Sequence, residues 1–325
     1  MARTRWKDTA GMPLRTRVFC VAASLAERVP LTEMTPEYVA AHRPLSPLPT
    51  FPASLVIGRR APGVVSSDLT IPVRDGSTIR GRLHHPPQVG ETAPVFVYYH
   101  GGGWARGRPK DYESLLSEVV ASTGAIVVAP DYRKAPQHKA PAAVHDAIDT
   151  LRWVAGAPAE LPATPGRIAL GGDSAGGNLT ALVAQWARDH DGPPLVGQVL
   201  IYPATDLHRH HPMRTAPMLD GPSMDRYKEL YLDGAEVADD DPSVSPIHCR
   251  SLAGLPPALV QTADHDPLRD EGKEYADLLA AQGVSVRYTG YRGVPHGFLN
   301  LPGVAPAAVQ ARAEIIDQLE DWFRE

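Results

Sequence analysis

Apolar positions along this chain change period from segment to segment, and the changes mark its elements. Val18, Val21, Ala22, Leu25 and Val29 recur at i, i+3, i+4, i+7 and i+11. That is the stripe of an amphipathic helix lying on something. Residues 1 to about 40 read as helical and hold no candidate chemistry. Residues 41–66 carry Pro44, Pro47, Pro49, Pro52 and Pro62 and read as an irregular connection. Segments 69–73 and 77–83 then alternate around Asp75-Gly76, a hairpin signal. From Pro94 onward, apolar runs at 95–99, 125–129, 167–171, 196–202, 258–262 and 284–288 alternate with helical periods. The helices are expected over 112–120, 142–154, 272–281 and 306–323, with a further one through Leu179, Leu182, Val183 and Trp186. Apolar strands buried on both faces and alternating with helices predict a doubly wound, mostly parallel α/β sheet of eight strands. The stretch 203–250 breaks the rhythm, being polar apart from a helix-like piece at 223–232. It is expected to join residues 1–45 as a helical cap over a core domain of residues 46–325.

Composition narrows the function classes. With 325 residues, 43% of them hydrophobic, the chain can bury a sizeable core. A net charge of −5 gives no reason to expect nucleic acid as a partner. Two cysteines, Cys20 and Cys249, imply no disulfide framework. No apolar run reaches the length of a membrane span. Residues 18–26, after Arg3, Arg5, Lys7, Arg15 and Arg17, faintly resemble a signal peptide with a cleavage site at Ser24-Leu25-Ala26. The helical stripe in the same residues favours a helix, and with it a cytoplasmic protein.

Candidate chemistry centres on Gly172-x-Ser174-x-Gly176, between the run 167–171 and the helical period after it. Small residues on both sides suit a sharp turn that lifts a serine hydroxyl to the top of a sheet. A serine needs a base in reach and an acid to orient that base. Open α/β sheets place such groups at the carboxyl ends of their strands. Asp266 follows the run 258–262 and His296 follows 284–288, giving the chain order Ser, Asp, His. His100-Gly101-Gly102-Gly103-Trp104, directly after 95–99, supplies glycines whose N–H groups can face a cavity and bind an oxyanion, together with the N–H of Ala175. A glycine turn that binds nothing is the plain alternative. Asp173 is expected to hold nearby backbone, and His100 to order the glycine loop. His208-x-His210-His211 lacks a carboxylate or cysteine at ligand spacing and reads as a solvated loop, so no metal is expected. Trp104, Met213, Met218 and Tyr227, with Leu219 and Met224, are candidates for a substrate pocket or for ordinary cap packing.

These motifs resemble the hormone-sensitive-lipase-like family of α/β-hydrolase esterases, in its GDSAG branch. The matching residues include His100 to Trp104, Asp131-Tyr132-Arg133, Gly172 to Asn178, Asp266-Pro267-Leu268-Arg269-Asp270-Glu271-Gly272 and His296-Gly297-Phe298. They run in family order from about residue 67 to the end, with residues 1–40 standing where the family has a variable cap. The resemblance implies hydrolysis of carboxylic esters of short or medium acyl chains without a cofactor, the partners being a small-molecule ester and water. It puts the acid on Asp266 and not on Asp264 or Asp270, and the oxyanion donors on Gly102, Gly103 and Ala175, with Gly101 beside them. Lys134 stands where the family usually has Leu, and Gln137 where it usually has Glu. Relatives dimerise through the last strand and helix, so a homodimer is open to this chain. An amidase or deacetylase would use the same triad. A small-molecule receptor, as in plant gibberellin receptors, would have lost the histidine that is present here as His296.

Overall fold

The computed structural model describes residues 4–324 except 28, 48 and 214. Its centre is one eight-stranded sheet in the order β1-β2-β4-β3-β5-β6-β7-β8. The strands are β1 (Val65–Pro72), β2 (Thr78–His85), β3 (Thr92–Tyr99), β4 (Ile126–Pro130), β5 (Thr164–Asp173), β6 (Leu195–Ile201), β7 (Ala258–His265) and β8 (Val286–Pro295). Only the pairings of β2 are antiparallel, to β1 across the Asp75-Gly76 turn and to β4; the rest are parallel. The sheet has the expected class and strand count. β8 starts two residues late and runs on to Pro295, because its ladder with β7 resumes at His265↔Pro295 after a register shift. Its polar sequence there hid the strand.

Alternation in the central strands feeds two cores. Val95, Val97 and Tyr99 of β3 point to one face, with Ile126 and Val128 of β4. That face is covered by α5 (Ala142–Ala155), α6 (Ala175–Asp189) and α8 (Arg269–Ala281), through Ile148, Leu179, Val183 and Leu279. Phe96 and Tyr98 point the other way, against α4 (Glu113–Thr123) and α9 (Pro306–Arg324), where Leu116, Val119, Ile315 and Leu319 are buried. Burial of each such side chain stabilises by about 1.5–3 kcal/mol. Strands covered on both faces leave their carboxyl ends as the open edge where loops can build a site.

Above that edge lie α1 (Leu14–Ala26), α2 (Pro36–Ala41), α3 (Ser54–Ile57) and α7 (Gly221–Leu232). The guanidinium of Arg226 on α7 donates to the Met34 carbonyl at 2.8 Å, tying the segment after β6 to the N-terminal one. α1 forms as expected, but rotated. Its buried residues are Thr16 and Cys20, whereas Leu14, Val18, Ala22 and Leu25 are exposed and Val21 and Val29 are partly covered. The Val18 stripe, expected to lie on something, thus faces mostly away from the protein. α1 borders a cavity, to which it turns Phe19 and the smaller Cys20, Ala23 and Ser24.

Candidate active site

β5 ends at Asp173, α6 begins at Ala175, and Ser174 between them has φ +56° and ψ −119°. This region is rarely occupied by a non-glycine residue and turns the serine out of both elements. The flanking glycines are forced by backbone proximity: a Cβ on Gly176 would overlap the carbonyl oxygen of Tyr99 in the neighbouring strand. α6 thereby starts close against the sheet, with its first amide N–H groups unpaired beside the hydroxyl.

Asp266 and His296 arrive from the next strands. The Asp266 carboxylate lies 2.7 Å from His296 Nδ1, and His296 Nε2 lies 3.0 Å from Ser174 Oγ. A carboxylate only accepts, so Nδ1–H donates to Asp266 and Nε2 is left to accept the Ser174 hydroxyl. Asp266 is held in turn by the Leu268 N–H at 2.9 Å. The neighbouring acids have other tasks. Asp264 accepts the N–H groups of Gly293 (2.8 Å) and Val294 (3.1 Å), fixing the end of β8 that carries His296. Asp270 pairs with Arg269 at the surface. The Tyr202 ring, buried, packs 4.6 Å from the imidazole. Nothing in the sequence around Tyr202 signalled that support.

The glycine loop after β3 meets the serine from the other side. Among the described residues, no hydrogen bond engages the N–H of Gly102, Gly103 or Ala175. Gly101 is different, and its place among the oxyanion donors is corrected. Its N–H is already given to the Asp173 carboxylate at 2.8 Å and lies 3.0 Å from the Tyr112 hydroxyl. Asp173 also accepts the hydroxyls of Tyr98 (2.9 Å) and Tyr112 (3.0 Å). Complete burial pushes this carboxyl above its ordinary range, opposed by those three donors. Asp173 thus holds the oxyanion loop, as expected of it. His100 is buried, with Nδ1 2.8 Å from the Gly101 carbonyl and Nε2 3.7 Å from Asp131.

Two cations brace the same loop, and only one was visible as a departure from pattern. Lys134 is buried, donating to Asp131 and to the Tyr132 carbonyl (2.9 Å). Burial raises the Asp131 carboxyl, but His100 and Lys134 outweigh it and hold it well below the usual carboxylate range. Arg43, from the N-terminal segment, donates to the carbonyls of Ala105 and Ala135 and to the side chain of Gln137. An arginine in a proline-rich connection gives no sequence signal of that role.

A cavity of about 500 Å³ opens over Ser174 and His296, lined on the loop side by Gly102, Gly103 and Trp104. Met218, Leu219, Met224 and Tyr227 also line it. Met213 does not: it lies outside the wall, where its carbonyl accepts the Gly221 N–H at the start of α7. The Tyr227 ring rests on Gly103, leaving no room for a Cβ there. α1 supplies Phe19, Cys20, Ala23 and Ser24 to the opposite wall. Cys20 and Cys249 are both free thiols.

The histidines at 208–211 split up. His208 is exposed and pairs with Asp239, while His211 is buried, its Nδ1 3.1 Å from the Pro267 carbonyl and its Nε2 3.6 Å from Glu271. A solvated loop therefore describes His208 but not His211, which packs under the turn carrying Asp266. Among the described residues no group of three His, Cys, Asp or Glu side chains is arranged to hold a metal. No helix among them is long and apolar enough to cross a membrane.

Comparison with known proteins agrees with this arrangement. Residues 96–300 match the family model described as the alpha/beta hydrolase fold. The chain is 45% identical over 244 residues to carboxylesterase NlhH of Mycobacterium tuberculosis, covering 73% of this chain and 76% of that protein. A hyperthermophilic esterase from Pyrobaculum calidifontis superposes with a TM-score of 0.74 at 40% identity, over 79% of this chain and 85% of the other. A thermostable esterase from Pseudomonas putida ECU1011 superposes with a TM-score of 0.84 at 30% identity, over 97% and 98%. Sequence, sheet and site converge: the chain belongs to the hormone-sensitive-lipase-like esterases of the α/β-hydrolase fold, and it is a carboxylic ester hydrolase.

Proposed function

We propose that Ser174 is the nucleophile of this carboxylesterase, His296 its general base and acid, and Asp266 the residue that orients the imidazole. The observation that carries the assignment is the unbroken run of two hydrogen bonds, 2.7 Å and 3.0 Å, from Asp266 through His296 to Ser174. Ser174 attacks the ester carbonyl as Nε2 takes its proton, and Asp266 stabilises the imidazolium that forms. The N–H groups of Gly102, Gly103 and Ala175 face the oxyanion, each worth about 3–4 kcal/mol to the transition state. His296 protonates the leaving alcohol, and water then repeats the sequence on the acyl-enzyme.

Residues 1–45 and 203–250 act as one cap on a catalytic domain of residues 46–325. The bond from Arg226 to Met34 and the cavity between cap and sheet support this division. A cavity of about 500 Å³ has the size that encloses one small ligand, which favours short- to medium-chain esters. Trp104, Met218 and Tyr227 give it shape. The protein works in the cytoplasm, and a homodimer through β8 and α9 is compatible with this site.

Initial rates on p-nitrophenyl esters from acetyl to palmitoyl, with Ser174→Ala alongside, test the reading. The expected result is a maximum at short chains and no turnover above background for Ser174→Ala, whose fold is intact by circular dichroism. Turnover persisting in Ser174→Ala would remove the nucleophile, and a maximum at palmitoyl would remove the small-cavity assignment.

A further inference from the structure

α1 is apolar on more than its inward side. That side presents Phe19 with Thr16, Cys20, Ala23 and Ser24, and the cavity runs along it. Its outward side presents Leu14, Val18 and Leu25, which are 67%, 52% and 62% exposed, with Ala22 exposed beside them. These four fall on one stripe of the helix. Leaving such a stripe in water forgoes the free energy that burial of each large side chain would return.

The stripe continues beyond α1. The Thr16 hydroxyl donates to the Val304 carbonyl at 2.7 Å, and the Gly303 N–H donates to the Val56 carbonyl at 2.9 Å. α1 and α3 therefore rest side by side on one loop, and both line the cavity. Phe51 just before α3 and Leu55 on it are exposed as well, at 78% and 59%. Trp6, half exposed, lies under the guanidinium of Arg17, 4.0 Å from its ring centroid.

Charge separates the occupants that could cover this face. Residues 1–26 carry five Lys or Arg and one Asp, a net +4, in a chain whose total is −5. The other 299 residues thus carry −9. Arg3 lies outside the described residues, Lys7 and Arg15 are exposed, and Arg5 is exposed while paired with Asp8. A two-fold contact with a second copy would set this basic face against itself. A bilayer with anionic headgroups supplies both an apolar phase for the stripe and counter-charge for its flanks.

We infer that the outward face of α1, with Trp6, Phe51 and Leu55, docks the cap onto an anionic lipid surface and brings the cavity between α1 and α3 to that surface. The helix lies on the interface and does not span it. Esters that partition into lipid then reach Ser174 without crossing bulk water. Docking needs no turnover, so vesicle binding can fail or succeed independently of the catalytic assignments.

The experiment is co-sedimentation of the full chain with phosphatidylcholine vesicles, with and without phosphatidylglycerol. Wild type is expected to partition at least tenfold more strongly onto the anionic vesicles, since each basic residue near such a surface adds about fivefold. Val18→Glu/Leu25→Glu and Lys7→Glu/Arg15→Glu are each expected to lose tenfold or more of that binding. Neither pair lines the cavity, so hydrolysis of soluble p-nitrophenyl butyrate should stay within about twofold of wild type, which also reports that the variants fold. Equal wild-type binding to both vesicle types, or none to either, overturns the proposal without reference to any variant. Unchanged binding in a folded variant does the same. A dimer in gel filtration that Val18→Glu/Leu25→Glu dissolves would assign the face to a second copy instead.

Discussion

Replacing Gly103 by alanine tests the oxyanion loop more sharply than any triad substitution. Gly103 has φ +59°, and three ring atoms of Tyr227 lie within 2.6 Å of where a Cβ would sit. Alanine in the left-handed region costs about 1–2 kcal/mol. The overlap adds about 1–3 kcal/mol if the ring cannot yield. Tyr227 is buried on α7, and the atoms that the Cβ would meet include Cγ at the root of its ring, which cannot swing clear without moving the helix. The loop must move instead, and with it the Gly103 N–H. Loss of one oxyanion donor lowers kcat by about 10²–10³. We expect Gly103→Ala to fold with about 2–5 kcal/mol less stability, and to show that fall in kcat on p-nitrophenyl butyrate with KM changed by less than about threefold. Gly103→Ala/Tyr227→Ala removes the overlap but not the strain, and should recover part of kcat. A Gly103→Ala enzyme with wild-type kcat would refute the reasoning, since the amide could not then be both displaced and needed.

Three further outcomes follow from the same geometry. Asp266→Asn removes the charge that stabilises the imidazolium and offers Nδ1 an amide N–H, which favours the tautomer with its proton on Nε2; steady-state rates should show kcat down about 10⁴-fold with little change in KM, and a loss under tenfold would show that another acid orients His296. Lys134→Leu strands the Asp131 carboxylate beside buried His100 and should cost about 2–3 kcal/mol in urea unfolding, part of which Asp131→Asn restores; no loss would mean the buried ammonium contributes nothing. His84 is pushed down to about 3, by burial first and then by Arg82 and Arg60. The unfolded chain therefore takes up this proton before the folded one, so its stability is fully present above about pH 6.5 and declines by about 1.4 kcal/mol per pH unit below it. Urea unfolding at pH 7 and pH 5 should differ by about 2 kcal/mol less in His84→Gln, and an unchanged difference would place the acid sensitivity elsewhere.

Much of this molecule was legible because its chemistry sits at strand ends, where period and motif coincide. The apolar runs located every strand of the sheet, and Ser174, Asp266 and His296 each follow one of them, so their convergence was readable from order alone. What escaped depended on contacts between distant segments. Gly101 looks like its two neighbours in sequence, and only the carboxylate of Asp173, 72 positions away, removes it from the donors. Met213 shares its chemistry with Met218 but falls outside the wall, in an irregular segment whose path no period in the sequence gives. The stripe of α1 was a true helical period whose direction no sequence could give. A hydrophobic period shows that one face differs from the other, and burial on the protein is only one way to use the difference.

The Asp173 web carries a consequence for how the enzyme responds to heat. One carboxylate joins the residue before Ser174 to the first glycine of the oxyanion loop, through Gly101, Tyr98 and Tyr112, and sits on the central strands β3 and β5. Nucleophile and donors are thereby parts of the same rigid block, aligned when the chain folds and not anew in each cycle. Leu219, Met224 and Tyr227 pack into the same apolar cluster as Val95, Val97 and Leu170 of those strands. Warming should therefore leave the alignment of serine and donors intact until β3 and β5 part, and then abolish both together.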